Sequence, residues 1–255
     1  METSALDGVR FLPASDQSLM VYFGERITLA AHERVVRFLR LLLRRPIDGV
    51  RNLHPAYCSV LVKFDALRWT HSELEVKLRE SLSRLESVSV AAPREVTIPV
   101  CYEAEFAPDL PDVCSLLGLT SAQVIERHCS LTYLVYFLGF LPGFAYLGPL
   151  EGGCDLRPEK AAEGNPAPPA QEVLPAALNV PRLATPRRSV PAGSVGIAGG
   201  QTGVYPFATP GGWRLIGRTP MKMFREENGT SALSIGDHVR FVAIPRERFA
   251  DWERK

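Results

Sequence analysis

The chain has 255 residues, with 29 Lys and Arg against 28 Asp and Glu, a net charge of +1. That balance gives no support for nucleic acid as the main partner, and the length allows one or two domains with a sizeable core. No membrane span or secretory signal is expected. The N-terminus METSALDGVR lacks a basic-then-apolar order, and the longest apolar candidate, 131–144, contains Thr132, Pro142 and two glycines.

In chain order, 9–12 and 19–23 read as two strands around a Pro13-Ala14-Ser15-Asp16 turn. Residues 29–43 repeat apolar side chains near the 3.6 period and form a helix ended by Pro46. Its opposite side carries Arg34, Arg37, Arg40, Arg44 and Arg45, a solvated face or a dock for an acidic partner. Asn52-Leu53-His54-Pro55 reads as a turn and 57–64 as a strand, with one further strand hidden near Val50. Thr70 with Glu73 makes a capping box for a second helix bearing Leu74, Leu78, Leu82 and Leu85. A strand at 96–100 follows. Helices on one side of a mainly antiparallel sheet give a small α+β domain over 1–92.

From 93 to 255 the character changes. A short helix at 112–117 ends at Gly118, and Thr120 with Gln123 caps another that carries Val124, Ile125 and His128. The strand at 133–138 leads into GFLPGFAYLG, 139–148. Residues 153–177 are rich in proline, alanine and glutamate and read as an insertion loop. The stretch 186–220 holds eight of the 20 glycines and five of the 21 prolines. No helix tolerates that density, yet apolar pieces at 195–198, 204–207 and 213–216 punctuate it. Short strands joined by tight turns are expected, Pro210-Gly211-Gly212 among the turns. After the turn at 235–237, a last strand runs from Val239 to Ile244. The second domain is therefore mainly β, a barrel or sandwich.

Irregular backbone at this density suits close approach by a ligand. AGGQTG, 198–203, lacks the lysine of a Walker loop and reads either as an anion nest or as a structural turn. AGSVG, 192–196, falls one residue short of a nucleophile elbow, so Ser194 is not taken as a nucleophile. Arg182, Arg187, Arg188 and Arg218 are either scattered surface charges or a set that grips carboxylate or phosphate. Gly200, Gln201, Thr202 and Tyr205 would orient a ligand or satisfy the backbone. His128 is either a buried, hydrogen-bonded core residue or a proton carrier. Cys58, Cys101, Cys114, Cys129 and Cys154 form no CxxC pair, which fits reduced thiols in a cytoplasmic protein and no metal site.

The motifs GFLPGFAYLG, PRLATPRRSVPAGSVGIAGGQTGVYP and ATPGGWRLIGRTP resemble the signatures of the 5-oxoprolinase B-subunit family, also called allophanate hydrolase subunit 1. The resemblance extends from RFLPASDQSLMVYFG to GDHVRFVAI. It implies a cyclophilin-like β-barrel behind the small α+β domain. It also implies two partners, the homologous C subunit of the same enzyme and its A subunit. It further implies conversion of 5-oxo-L-proline to L-glutamate with ATP, and with it Mg2+. On that basis His128 is the candidate proton shuttle, and Arg182, Arg187, Arg188, Gly200, Gln201, Thr202, Tyr205 and Arg218 the candidate substrate or nucleotide contacts. The family also includes the histidine-kinase inhibitor KipI and relatives of biotin-dependent urea carboxylase, which are the alternative readings. MKMF at 221–224 has no alanine before Met221, so biotin is not expected on this chain.

Overall fold

A computed structural model describes residues 8–90, 92–149 and 178–253, so the 153–177 insertion lies outside the described residues. The chain divides into two compact units, Met1–Ala92 and Pro93–Lys255.

The first unit holds the strands β1 (Arg10–Ser15), β2 (Ser18–Tyr22), β3 (Val50–Pro55) and β4 (Ser59–Phe64), and the helices α1 (Leu29–Arg44) and α2 (His71–Leu82). The strands form one antiparallel sheet in the order β1-β2-β4-β3. Leu19, Val21, Val60, Val62 and Phe64 are buried together with Val35, Phe38 and Leu42 of α1 and Leu74, Leu78 and Leu82 of α2. Thr28 accepts from Ala31 N–H to start α1, and Thr70 and Glu73 make the reciprocal capping box of α2.

Two turns expected from sequence are strands instead. The first hairpin turns at Asp16-Gln17, so that Pro13 pairs with Leu19 inside β1. Asn52 to Pro55 lies within β3, opposite Val60 to Lys63. Both strands are sheet edges, where a proline without an N–H forfeits no ladder bond. The arginine face of α1 is partly tied to its own unit: Arg37 meets Glu33 and Glu86 at 2.7 and 3.3 Å, and Arg40 reaches Ser89 O.

The second unit is a nearly closed barrel. Its elements are β5 (Glu95–Val100), α3 (Leu110–Leu117), α4 (Ser121–Ser130), β6 (Tyr133–Leu138), β7 (Ala145–Pro149), β8 (Arg187–Val190), β9 (Ser194–Ala198), β10 (Gln201–Val204), β11 (Thr209–Gly211), β12 (Arg214–Arg218), β13 (Phe224–Arg225), β14 (Thr230–Ser231), β15 (His238–Ala243) and α5 (Arg246–Glu253). Seven strands run β12-β9-β10-β7-β6-β15-β5, and only β15 and β5 are parallel. The two ends meet where Cys101 and Arg218 exchange N–H···O bonds of 2.8 and 2.9 Å. Ile98, Val100, Val135, Leu147, Val195, Ile197, Ile216 and Phe241 belong to one buried core, to which α3 and α4 add Val113 and Val124.

The AGGQTG segment resolves to a hairpin turn. Ala198 pairs with Gln201, while Gly199 and Gly200 take φ of 57° and 75°. Both central residues in the left-handed region define a type I′ turn, whose twist matches that of the flanking strands. The Gly199 N–H is committed to Val180 O at 2.8 Å. The piece at 204–207 ends its strand at Val204, and Pro210-Gly211 lies in β11, paired with β8, instead of forming a turn.

Candidate functional site

Asp109 immediately precedes α3, where an aspartate ordinarily caps the helix. Here its side chain makes no cap bond. It is 4% exposed: Oδ2 accepts the Leu215 N–H at 2.6 Å, and Oδ1 accepts Arg187 Nη2 at 2.5 Å. The Asp109 N–H in turn donates to Leu215 O at 3.0 Å. A buried carboxylate clamped by β12 therefore fixes one arm of Arg187 on β8. The other arm has no partner among the described residues, since Arg187 Nη1 is enclosed and makes no hydrogen bond to any of them. A guanidinium oriented in this way, half-buried and with an unspent donor, can pair with a carboxylate or phosphate.

An aromatic layer adjoins it. Phe144, Val190, Ala198, Tyr205, Trp213 and Leu215 form a second buried cluster, distinct from the barrel core. Tyr146 packs against it, stacked on Phe137 at 4.4 Å and edge-on to Trp213 at 5.8 Å. The Tyr205 hydroxyl accepts the Trp213 N–H; burial pushes its pKa up, and Arg182 and Arg187 both pull against that shift. Arg182 acts on Tyr146 in the same sense. Arg182, Arg187, Tyr146 and Tyr205 thus share one electrostatic neighbourhood. The GFLPGFAYLG turn borders it. Phe140, 59% exposed and edge-on to Phe144, takes φ +68°, alone in this among the described non-glycine residues. The turn is held by the Gly139 N–H donating to Phe144 O and the Phe144 N–H donating to Leu141 O. Local strain held by the surrounding bonds is a frequent mark of ligand sites.

Three predicted contacts therefore come together: Arg182, Arg187 and Tyr205. Arg188, the next residue on β8, is exposed and alternates to the other face. Arg218 lies in a different groove of about 490 Å3, beside Gly193, Phe207, Phe224 and Lys222, with its Nε on Ala192 O at 2.8 Å. Gly200, Gln201 and Thr202 border a small void with His128 instead.

The proton-shuttle expectation for His128 is corrected by its surroundings. The ring is 0% exposed and stacks on Phe241 at 4.3 Å. Thr202 Oγ1 donates to Gly196 O, so it accepts from His128 Nε2 at 3.0 Å; Nδ1 then accepts the Tyr102 hydroxyl at 2.7 Å. Both nitrogens are spent inside the core. Burial drives the pKa down to about 3, which fixes a neutral imidazole that holds α4 to β10. His32 in the first unit is likewise lowered to about 4 by burial.

These shifts predict acid sensitivity. The unfolded chain takes up protons at both histidines as pH falls below about 6.5, while the folded chain does not until about 4 and about 3. Stability is therefore fully present above about pH 6.5 and drains away below it, by roughly 2 kcal/mol per histidine at pH 5. Urea midpoints followed by circular dichroism at pH 7.5 and pH 5 check this, and equal midpoints would contradict it.

Sequence reasoning missed Asp109 and Tyr146. Asp109 lies ahead of the helix expected at 112–117 and has its partners 78 and 106 residues away, and Tyr146 lay within a noted motif without a role. Among the described residues, no group of three or more His, Cys, Asp or Glu is placed to hold a metal, and no helix is long and apolar enough to cross a membrane.

The nearly closed barrel and the small domain before it have a carboxyltransferase-like fold. The Kluyveromyces lactis urea carboxylase superposes at TM-score 0.73 over 95% of this chain and 22% of that one, a likeness of fold alone at 18% identity. The chain belongs to the carboxyltransferase domain, subdomain C and D family, whose profile matches residues 9–162 and 169–234. It is 37% identical over 245 residues to the 5-oxoprolinase B subunit of Bacillus subtilis, covering 92% of each. Its identity to the 5-oxoprolinase B subunit of Escherichia coli O157:H7 is 39% over 224 residues, 85% of this chain and 87% of the other. Among solved structures, TTHA0988 is 33% identical at TM-score 0.67, covering 89% of this chain; the chain spans 40% of that protein's length.

Proposed function

We propose that this chain is the B subunit of an ATP-dependent 5-oxoprolinase, which opens 5-oxo-L-proline to L-glutamate together with its A and C subunits, the latter homologous to this chain. Similarity to the Bacillus subtilis 5-oxoprolinase B subunit over 92% of both chains supports the assignment. The observation that carries the site is Arg187, whose buried Nη1 is unpaired among the described residues while Asp109 holds its other arm.

The substrate is a small ring with one carboxylate and one unreactive amide. Arg187 receives the carboxylate, Arg182 adds a second positive charge, and the aromatic layer packs against the ring methylenes. Amide resonance makes the lactam a poor electrophile, and ATP removes that obstacle. The carbonyl oxygen takes the γ-phosphoryl group as ADP leaves, water adds to the activated carbon, and the ring C–N bond breaks with the nitrogen departing as the amine. A second water releases phosphate and leaves the new carboxylate. Binding energy at Arg187, remote from the reacting carbonyl, serves to orient the ring.

Co-expression of this chain with the A and C subunits, followed by assay of glutamate from 5-oxo-L-proline, tests the proposal. Glutamate is expected only when ATP is present and this chain is included. Turnover that persists without the chain, or without ATP, would refute it.

A further inference from the structure

A second arginine of the barrel unit is held in the same way as Arg187. Arg94, just ahead of β5, directs Nε at 3.2 Å to Asp237 Oδ1, and Nη2 to Asp237 Oδ2 in a closer contact. Nη2 also donates to Ala232 O at 2.8 Å. Asp237 is 5% exposed and accepts the Ser234 N–H at 2.7 Å, so the carboxylate that aims Arg94 is itself fixed. Arg94 borders a trough of about 1000 Å3, to which Lys222, Arg225, Ser231 and Trp252 also contribute. Lys222 and Arg225 are exposed and form no ion pair among the described residues. The Ser231 Oγ is enclosed and has no hydrogen-bond partner among the described residues. The Trp252 ring, 50% exposed, is the one aromatic wall of the trough among the described residues. Among the described residues Glu227 supplies the single carboxylate of the lining, against three cations.

We infer that this trough binds a phosphate ester carrying a flat ring, the class to which a nucleoside triphosphate belongs. Arg94, Lys222 and Arg225 face the phosphoryl oxygens, the Ser231 hydroxyl donates to one of them, and Trp252 packs against the ring. The AGGQTG turn, expected from sequence as one place for such an anion, has its Gly199 N–H engaged by Val180 O. The trough offers open cationic side chains instead. The inference rests on the proposed ATP dependence only for the choice of probe, and binding to the full-length chain is measured apart from turnover.

Isothermal titration of the chain with ATP, pyrophosphate and adenosine tests it. ATP should bind, pyrophosphate should compete more weakly, and adenosine alone should not register. The double variant Lys222→Ala/Arg225→Ala changes only exposed side chains; it should weaken ATP at least tenfold, Ser231→Ala should weaken it less, and Arg187→Ala should leave it unchanged. Absence of ATP binding, or binding indifferent to the double variant, overturns the site. Pyrophosphate binding as tight as ATP overturns the role given to Trp252 and the ring. ATP-dependent turnover with no ATP held in this trough would sink this inference alone, whereas turnover without ATP would sink the proposed function itself.

Discussion

Replacement of Arg187 by alanine in the assembled complex is expected to lower kcat/KM for 5-oxo-L-proline by roughly 100- to 1000-fold. The charge-assisted contact that Nη1 would make to a substrate carboxylate is worth about 3–4 kcal/mol when desolvated, which corresponds to that factor. Arg187→Lys should recover little, because one ammonium cannot hold Asp109 and also reach the ligand along a second arm. The variant leaves Asp109 buried without its cation, so a loss of activity alone would not separate binding from folding. The lactam 2-pyrrolidinone, which lacks the carboxylate, makes the distinction. Its slow rate should be the same in the parent and Arg187→Ala complexes, so that the preference for the acid collapses. A variant that keeps its preference for 5-oxo-L-proline would remove Arg187 from the site.

The largest loss of stability is expected at Gly193. Its φ is +79°, a region side chains enter only with strain, and an added Cβ would lie 2.3 Å from Thr219 O. That oxygen belongs to the backbone and cannot rotate away. Gly193 is also stitched on both sides, its N–H to Tyr205 O at 2.7 Å and its carbonyl to the Thr219 N–H at 2.9 Å. Gly193→Ala must therefore separate the Tyr205 and Thr219 segments or break one of these bonds, at a cost of about 4 kcal/mol or more. For a chain of this size that lowers the melting temperature by about 10 °C, read by thermal circular dichroism. A shift under about 3 °C would show that the backbone accommodates the methyl group. Because Tyr205 is one of the two neighbours, the same change should disturb the aromatic layer beside Arg187.

What could be read in the sequence was local. The capping boxes at Thr70–Glu73 and Thr120–Gln123, the helical period of α1 and the left-handed Gly118 at the end of α3 depend on residues within one turn of each other, and each is found as expected. The Gly199-Gly200 turn is local in the same sense, and its chemistry favours the structural of its two readings. What depended on long-range pairing was not legible. Pro13 and Pro55 mark turns until the edge positions of β1 and β3 are known. His128 reads equally as core or catalyst until Tyr102 and Thr202, 26 residues before it and 74 after, close on its two nitrogens. Asp109 is 78 residues from Arg187 and 106 from Leu215. Four arginines stood out by residue type, but only that carboxylate distinguishes Arg187 from Arg188 beside it.

The measurement that bears most directly on the account is a structure of the assembled complex with 5-oxo-L-proline bound. A substrate carboxylate oxygen within about 2.9 Å of Arg187 Nη1, with the lactam ring against Tyr146 and Tyr205, is the predicted result. A substrate seated elsewhere, with Arg187 Nη1 turned to a protein group or to water, would contradict it.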